Sequence, residues 1–272
     1  MNWENNMATL GIIAGKGIYP DLLMTEARKK FAGKIVIAAV EGETDPALAA
    51  RADDRRWMKI GQIGKLLSFF KDAGVDRAIM AGQITPGRLF DFRPDFKALV
   101  LLATLKERNA ESLFGAVAGA LEKIGVTLLP ATTFLEDYLP APGLVAGPKP
   151  SRSHLRDVDF AWPIVKEISR LNIGQCIVVK KGTMLAVEGY DGTNATIRRG
   201  GAIGNGDAVL VKVSKPNQDT RFDVPVIGPD TIRICAESQI SCVIIEAGKT
   251  MLLARDEVIS LAVANKVTLF AK

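Results

Sequence analysis

TLGIIAGKG, residues 9–17, is the stretch that decides the fold. A short apolar run, Thr9 to Ala14, stops at Gly15-Lys16-Gly17. Tyr19 to Phe31 then places Leu22, Leu23, Ala27 and Phe31 at helical spacing with charges opposite. A β-branched run, KIVIAAV at Lys34 to Val40, reads as the next strand, and Met58 to Ile60 as a short one. Ile63 to Ala73 reads as a helix closed by Gly74, and Ala78 to Ala81 as a strand followed by Gly82. Strands alternating with helices predict a parallel sheet covered on both faces. The first half is therefore expected to be a Rossmann-like α/β domain.

The loops after the first and fourth strands are the places where such sheets bind ligands. Gly15 and Gly17 fit a turn whose backbone amides hold a phosphate, or a tight turn with no ligand. The dinucleotide fingerprint fails because Pro20 stands where a third glycine is needed. The Walker pattern fails as well, because Gly17 and not Ser or Thr follows Lys16. In the loop Gly82 to Arg88, Gln83 and Arg88 are candidates to reach a phosphate or a uracil edge.

Helices are expected near Phe96–Arg108 and Glu111–Ile124, with a strand at Val126–Leu129. The Pro- and Gly-rich stretch Leu139 to Pro150 reads as a stiff connector. This predicts a first domain over residues 1–139, a linker over 140–156 and a mixed α/β domain over 157–272. The second domain is expected to open with a helix at Asp157–Leu171. Strands follow at Gln175–Lys180, Thr183–Tyr190, Ala208–Val213, Cys242–Ala247, Met251–Ala254 and Val267–Phe270, with helices near Thr193–Gly201 and Arg255–Asn265.

The densest chemistry lies at Lys215 to Asp230, KPNQDTRFDVPVIGPD. If its centre is extended, Asp219, Arg221 and Asp223 share one face and Phe222 and Val224 the other. Carboxylates hold magnesium or activate water, and a guanidinium grips phosphate. A solvated loop bridged by a surface Arg–Asp pair is the plainer alternative. Glu188 and Glu246 end strands and are further acids, with Asp191 or Thr193 expected to cap a helix.

Bulk composition excludes several classes. The net charge of +5 is scattered in short clusters and no basic tract interleaves aromatics, which argues against nucleic-acid binding. Three cysteines without CxxC spacing read as buried thiols, not a zinc site. The single histidine, His154, leaves acid–base work to carboxylates, lysine or metal-bound water. Neither a signal peptide nor a membrane span is legible, so a cytoplasmic protein is expected, with room for contact with an anionic membrane surface.

The segments AGKGIYP, AGQI, IGQCIVVKKGTMLAVEG, RRGG, KPNQDTRFDVPVIGPDT and IIEAGKT occur in this order. Together they resemble the LpxI-type UDP-2,3-diacylglucosamine pyrophosphatase family over nearly the whole chain. The resemblance implies two domains and a magnesium-dependent cytoplasmic hydrolase of lipid A synthesis. Its substrate would be UDP-2,3-diacylglucosamine, cleaved to UMP and 2,3-diacylglucosamine 1-phosphate. It makes Asp223, in the QDxRxDxP motif, the candidate catalytic residue as metal ligand or general base. Asp219, Glu188 and Glu246 are further metal candidates, and Lys215, Gln218, Arg221 and Thr193 candidate substrate contacts. The acyl chains call for an apolar trough, expected between the domains, and the reading leaves room for a homodimer and for transient contact with the inner membrane. Residues 109–112 (NAES) and Asn172 depart from the aspartates that many relatives carry there. A non-catalytic nucleotide-sugar sensor is the alternative, separable by UMP release.

Overall fold

The structure, a computed structural model, describes residues 8–84, 94–103, 105, 110–216 and 218–272. Contacts divide the chain into two compact units. One holds the chain up to Leu135 together with Asp219–Asp223; the other holds Glu136–Gln218 and Val224–Lys272.

The first unit is built on a five-stranded sheet. In chain order come β1 (Thr9–Ala14), α1 (Ile18–Lys30), β2 (Lys34–Val40), α2 (Pro46–Ala50), β3 (Asp54–Met58), α3 (Ile63–Asp72), β4 (Arg77–Ala81), α4 (Phe96–Ala103), α5 (Ala110–Glu122) and β5 (Thr127–Leu128). The strand order is β3-β2-β1-β4-β5, with every pair parallel. β1 and β2 are buried along nearly their whole length, which is why they read as continuous apolar runs rather than alternating ones. Val36, Ala38, Ala78 and Met80 pack with Leu66, Phe69 and Phe70 of α3 and Leu121 of α5. The expected Rossmann-like α/β order is present, with the chain reversing direction across the sheet between β1 and β4.

The second unit contains β6 (Gly143–Ala146), α6 (Arg152–Arg170), β7 (Cys176–Lys180), β8 (Thr183–Val187), α7 (Gly192–Gly204), β9 (Ala208–Lys212), β10 (Val226–Ile227), α8 (Pro229–Glu237), β11 (Ile240–Ile245), β12 (Met251–Leu252), α9 (Arg255–Ala264) and β13 (Thr268–Ala271). Six strands form a mixed sheet in the order β6-β13-β11-β9-β7-β8. β9, β11 and β13 run parallel, and β6, β7 and their partners pair antiparallel. Alternation along the strands fills two cores. Ile177, Val179, Val209, Val211 and Ile244 pack with Val158, Ala161 and Val165 of α6. Val178, Leu210, Val243 and Leu269 pack with residues of α7, α8 and α9.

Part of the expected linker, residues 143–146, forms β6 and pairs with β13, and α6 begins at Arg152 rather than Asp157. Ser151 explains the earlier start: its hydroxyl accepts the His154 N–H at 3.1 Å while His154 reaches back to the Ser151 N–H, a reciprocal cap. All three cysteines are free and buried. Among the described residues, no helix is long and apolar enough to cross a membrane.

Candidate active site

At the carboxyl ends of β1 and β4 the two glycine loops bind each other. Gly15 N–H donates to Ala81 O at 2.7 Å, and Lys16 and Gln83 exchange backbone bonds of 2.8 and 3.1 Å. A Cβ on Gly15 would lie 2.4 Å from Gln83 O, and one on Gly82 would lie 2.7 Å from Lys16 O. Gly15 and Gly82 are therefore demanded by loop-on-loop contact. Gly17 differs. It adopts φ +93 as the N-cap of α1, provides no side-chain cap, and a Cβ there would meet nothing within 4 Å among the described residues. Gly17 is exposed at the start of α1, and so is Gln83, whose backbone pairs with Lys16. Arg88 lies outside the described residues.

Two residues after Gly17, Tyr19 donates its hydroxyl to Ala131 O, and burial pushes the phenol pKa well up, keeping it a donor. The N–H of the same residue, Ala131, donates to Thr220 O at 2.8 Å. One peptide group and its neighbour thereby connect the start of α1 to the Asp219–Asp223 segment.

That segment is not extended, contrary to the expectation. Phe222 and Asp223 donate their N–H groups to Asp219 O at 3.2 and 2.9 Å, closing one helical turn. The cause is local: the Asp219 carboxylate accepts Arg221 N–H at 3.1 Å, the bond by which Asp favours turns over strands. Asp219 and Asp223 nevertheless lie on the same side, now because they are four residues apart on a helical turn. The Arg221 fork holds Asp219 through Nε and Nη2 at 2.8–3.2 Å and Glu122 of α5 through Nη1 at 2.9 Å. The Arg221 hydrogen bonds hold the Asp219 carboxyl below its usual range. Phe222 points the other way and stacks 5.6 Å from the Phe114 ring.

In the second unit, the carboxyl ends of β8, β9 and β11 gather the remaining predicted residues into two clusters. Glu188 accepts Gln175 N–H at 2.7 Å and the Thr193 hydroxyl at 2.7 Å, and Thr193 in turn accepts from Lys212 Nζ at 3.1 Å. Thr193 therefore does not cap α7, whose N-cap Asp191 makes no side-chain cap bond either. Glu246, 8% exposed, accepts from Lys166 Nζ, Lys249 Nζ and Ser214 N–H. Burial alone would raise its pKa, but these three donors more than offset that and hold it low. Gln218 Oε1 accepts the Ser214 hydroxyl at 2.8 Å and Lys215 N–H at 2.9 Å, so its amide orientation is fixed, and Nε2 is buried without a partner among the described residues. Lys166, Lys212 and Ser214 were missed from sequence. The available signal was positional: Lys212 ends an apolar strand, and Lys166 borders the buried face of an amphipathic helix.

His154 sits at the other edge of this sheet, where β9 and β11 begin. Its Nε2 meets both Asp207 Oδ1 at 2.8 Å and Ser241 Oγ at 3.2 Å, while Nδ1 faces the Ser151 N–H. A nucleophilic triad needs acid and serine on opposite ring nitrogens, so this cluster is a structural tie. Among the described residues, no three His, Cys, Asp or Glu side chains group as a metal cage.

Comparison with known proteins agrees along the chain. A model described as the LpxI N-terminal domain matches residues 9–138, and one described as the LpxI C-terminal domain matches residues 141–270. A curated relative, the UDP-2,3-diacylglucosamine pyrophosphatase LpxI of Caulobacter vibrioides, is 31% identical over 270 residues, 94% of each chain. Among solved structures, the biotin carboxylase domain dimer of Hydrogenobacter thermophilus 2-oxoglutarate carboxylase is similar at 14% identity and TM-score 0.28, over 65% of this chain and 36% of that one. Rhizobium etli pyruvate carboxylase gives 11% and 0.29, over 69% and 17%. Likenesses that distant carry no weight for the chemistry.

Proposed function

The chain belongs to the LpxI family, and from that premise we propose that it hydrolyses the pyrophosphate bond of UDP-2,3-diacylglucosamine. The products are UMP and 2,3-diacylglucosamine 1-phosphate, and the step serves lipid A synthesis. The observation that carries the reading is the Asp219–Asp223 turn, tied through Ala131 to the start of α1.

Hydrolysis of a phosphoric anhydride needs an in-line water, neutralised phosphates and a leaving phosphate that departs as an anion. Water forms a new P–O bond, the bridging P–O bond breaks, and the bridging oxygen leaves on the other phosphate. Asp223 is placed as the group that orients and deprotonates the water or holds the metal beside it. Asp219 is charge-paired with Arg221, whose role is to fix the turn while its remaining N–H donors face the phosphates. The α1 amides at Gly17, with Gln83, are assigned to the uridine diphosphate half. Lys215, Gln218 and Thr193 are assigned to the substrate's anionic groups.

Magnesium suits this donor set. Mg²⁺ is usually held by one or two carboxylates together with substrate phosphates rather than by an all-protein cage. Asp223 offers one such carboxylate, whereas Asp219, expected as a further ligand, has its carboxylate taken up by four contacts from Arg221. When bound, the ion would neutralise phosphate charge. We place the reaction in the cytoplasm at the inner membrane surface, because a substrate with two acyl chains resides in a bilayer.

The test is UMP release from UDP-2,3-diacylglucosamine by the pure protein, with magnesium and after chelation. Release is expected with magnesium and none with EDTA. Asp223→Ala is expected to lower the rate by about 10²–10⁴ with its fold intact. Near-normal turnover in that variant would remove Asp223 from the mechanism, and full activity after exhaustive chelation would remove the metal. Substrate binding without UMP release in the wild type would favour a sensor.

A further inference from the structure

Glu246 follows β11 and is 8% exposed. Its Oε1 receives Lys249 Nζ at 2.8 Å and Lys166 Nζ at 3.3 Å; its Oε2 receives Lys166 Nζ at 3.0 Å and Ser214 N–H at 2.9 Å. A carboxylate has about four lone-pair sites, and four contacts fill them. No site is left for a cation. Lys166, from the middle of α6, also donates to Ser214 O at 2.9 Å. The pair thus grips one residue by both backbone polar groups, N–H through the acid and C=O through the base. Ser214 passes the constraint on. Its hydroxyl and the Lys215 N–H both fix Gln218 Oε1, and Gln218 N–H closes the turn on Lys215 O at 3.3 Å. Gln218 is bonded directly to Asp219, the first residue of the turn that carries Asp223.

Such a pair is poor value as a stabiliser, because desolvating two charges offsets most of their attraction, and well-packed apolar residues often do as well. Its use is orientation. We propose that Lys166 and Glu246 are positioning residues for the hydrolysis: they lock Ser214, and Ser214 through Gln218 sets where the chain enters the Asp219–Asp223 turn. This rests on the role given to Asp223 above. Neither residue touches substrate or metal in this scheme.

The test uses the full chain carrying Lys166→Met, Glu246→Gln, Lys166→Arg or Ser214→Ala. Turnover is followed as UMP release at varied substrate and magnesium, and backbone amide exchange of Ser214, Lys215 and Gln218 is measured without substrate. Misplacement of a reacting group by about 1 Å can cost about 10²-fold in rate. Accordingly, kcat is expected to fall about 100-fold in Lys166→Met and Glu246→Gln and about tenfold in Ser214→Ala. The magnesium concentration for half-activity is expected to stay within about threefold, and KM to rise by less than kcat falls, because Lys215 and Gln218, assigned above to the substrate, loosen together with Ser214. Lys166→Arg is expected to restore most of kcat, and exchange at Ser214 and Lys215 to accelerate in the Met and Gln variants.

A raised magnesium requirement in Glu246→Gln would overturn the proposal in favour of a ligand role. So would a loss of kcat without faster exchange, or normal kcat in folded variants. If Lys166→Met or Glu246→Gln does not fold, Ser214→Ala decides, since it leaves the ion pair untouched; full activity there overturns the chain of contacts. If the wild type releases no UMP, the functional reading fails, while unchanged exchange would separately refute the clamp.

Discussion

At the scale of single residues, the environment and not the residue type sets what each acid does. Glu246 is held below the ordinary glutamate pKa of 4.5: burial pushes it up, and the donors Lys249, Ser214 and Lys166 more than reverse this. A carboxyl with a depressed folded pKa contributes stability that is present above its unfolded pKa and is lost as pH falls through the lower folded value. Glu246→Gln is therefore expected to be destabilising at pH 7, with the deficit shrinking as pH falls below about 4.5 and vanishing only below the lower folded pKa, where the wild-type carboxyl also becomes neutral. Breaking a fully buried pair costs about 3–5 kcal/mol. Lys166 keeps 27% of its side-chain exposure and regains water, so about 2–3 kcal/mol is expected here. Urea unfolding of both proteins at pH 7 and pH 3.5 checks this, and a deficit that does not depend on pH would show the carboxylate charge to be irrelevant. Sequence alone showed Glu246 as an acid at a strand end. Its partner Lys166 is 80 residues away on a helix flank, and no local pattern couples the two. The Asp219–Arg221 pair was legible because the partners are two residues apart. The shape of their backbone was not, because the Asp219 side chain competes for backbone bonds and bends it.

At the scale of elements, period decided legibility. β1, α1, β2, α3 and β4 were readable because buried parallel strands are long apolar runs and the helices between them are amphipathic. α8 was not anticipated. Pro229 stands in the first turn of a helix, where its missing N–H costs nothing, and Asp230 complements the helix dipole. β6 was hidden for a related reason: Gly and Pro are tolerated on an edge strand, and this one borders the sheet through β13 alone. Glycines inside α7 carry information of a different kind. A Cβ on Gly200 would lie 2.4 Å from Val178 Cβ on β7, so the helix can approach the sheet only with glycine there. Gly200→Ala is expected to cost about 1–3 kcal/mol from overpacking, despite the better helix propensity of alanine. Gly119→Ala on α5, with nothing within 4 Å of the new methyl among the described residues, is expected to gain about 0.5–1 kcal/mol instead. Thermal unfolding of the two variants should move in opposite directions. A matching loss in both would mean that backbone effects, not the contact with Val178, govern these helices.

At the scale of the whole molecule, the two family models meet between residues 138 and 141, whereas Asp219–Asp223 makes its contacts with the first unit. Nothing in the local sequence announces this: Arg221 and its partner Glu122 are 99 residues apart. Phe222 alone gave a hint, as an aromatic set between Arg221 and Asp223. A fragment of residues 1–138 would contain every strand of the first sheet but would lack those five residues. It would lose the Phe222 side chain from beside Phe114, the hydrogen bond between Ala131 N–H and Thr220 O, and the pair between Arg221 and Glu122. Burying a phenylalanine is worth about 1.5–3 kcal/mol, a hydrogen bond about 1 kcal/mol and an exposed ion pair about 0–1 kcal/mol. Phe222 is partly buried and the pair is exposed, so the loss is expected to be about 3 kcal/mol, a large share of the roughly 5–15 kcal/mol that a domain holds. Urea unfolding should place the fragment's transition well below that of the same unit in the intact chain. Phe222→Ala in the intact chain should recover about half to two-thirds of the difference, since the ring supplies the largest single contribution. Equal stability of the fragment and the intact unit would show that Asp219–Asp223 rests on the first sheet without supporting it, and the turn would then owe its shape to the Asp219–Arg221 pair alone.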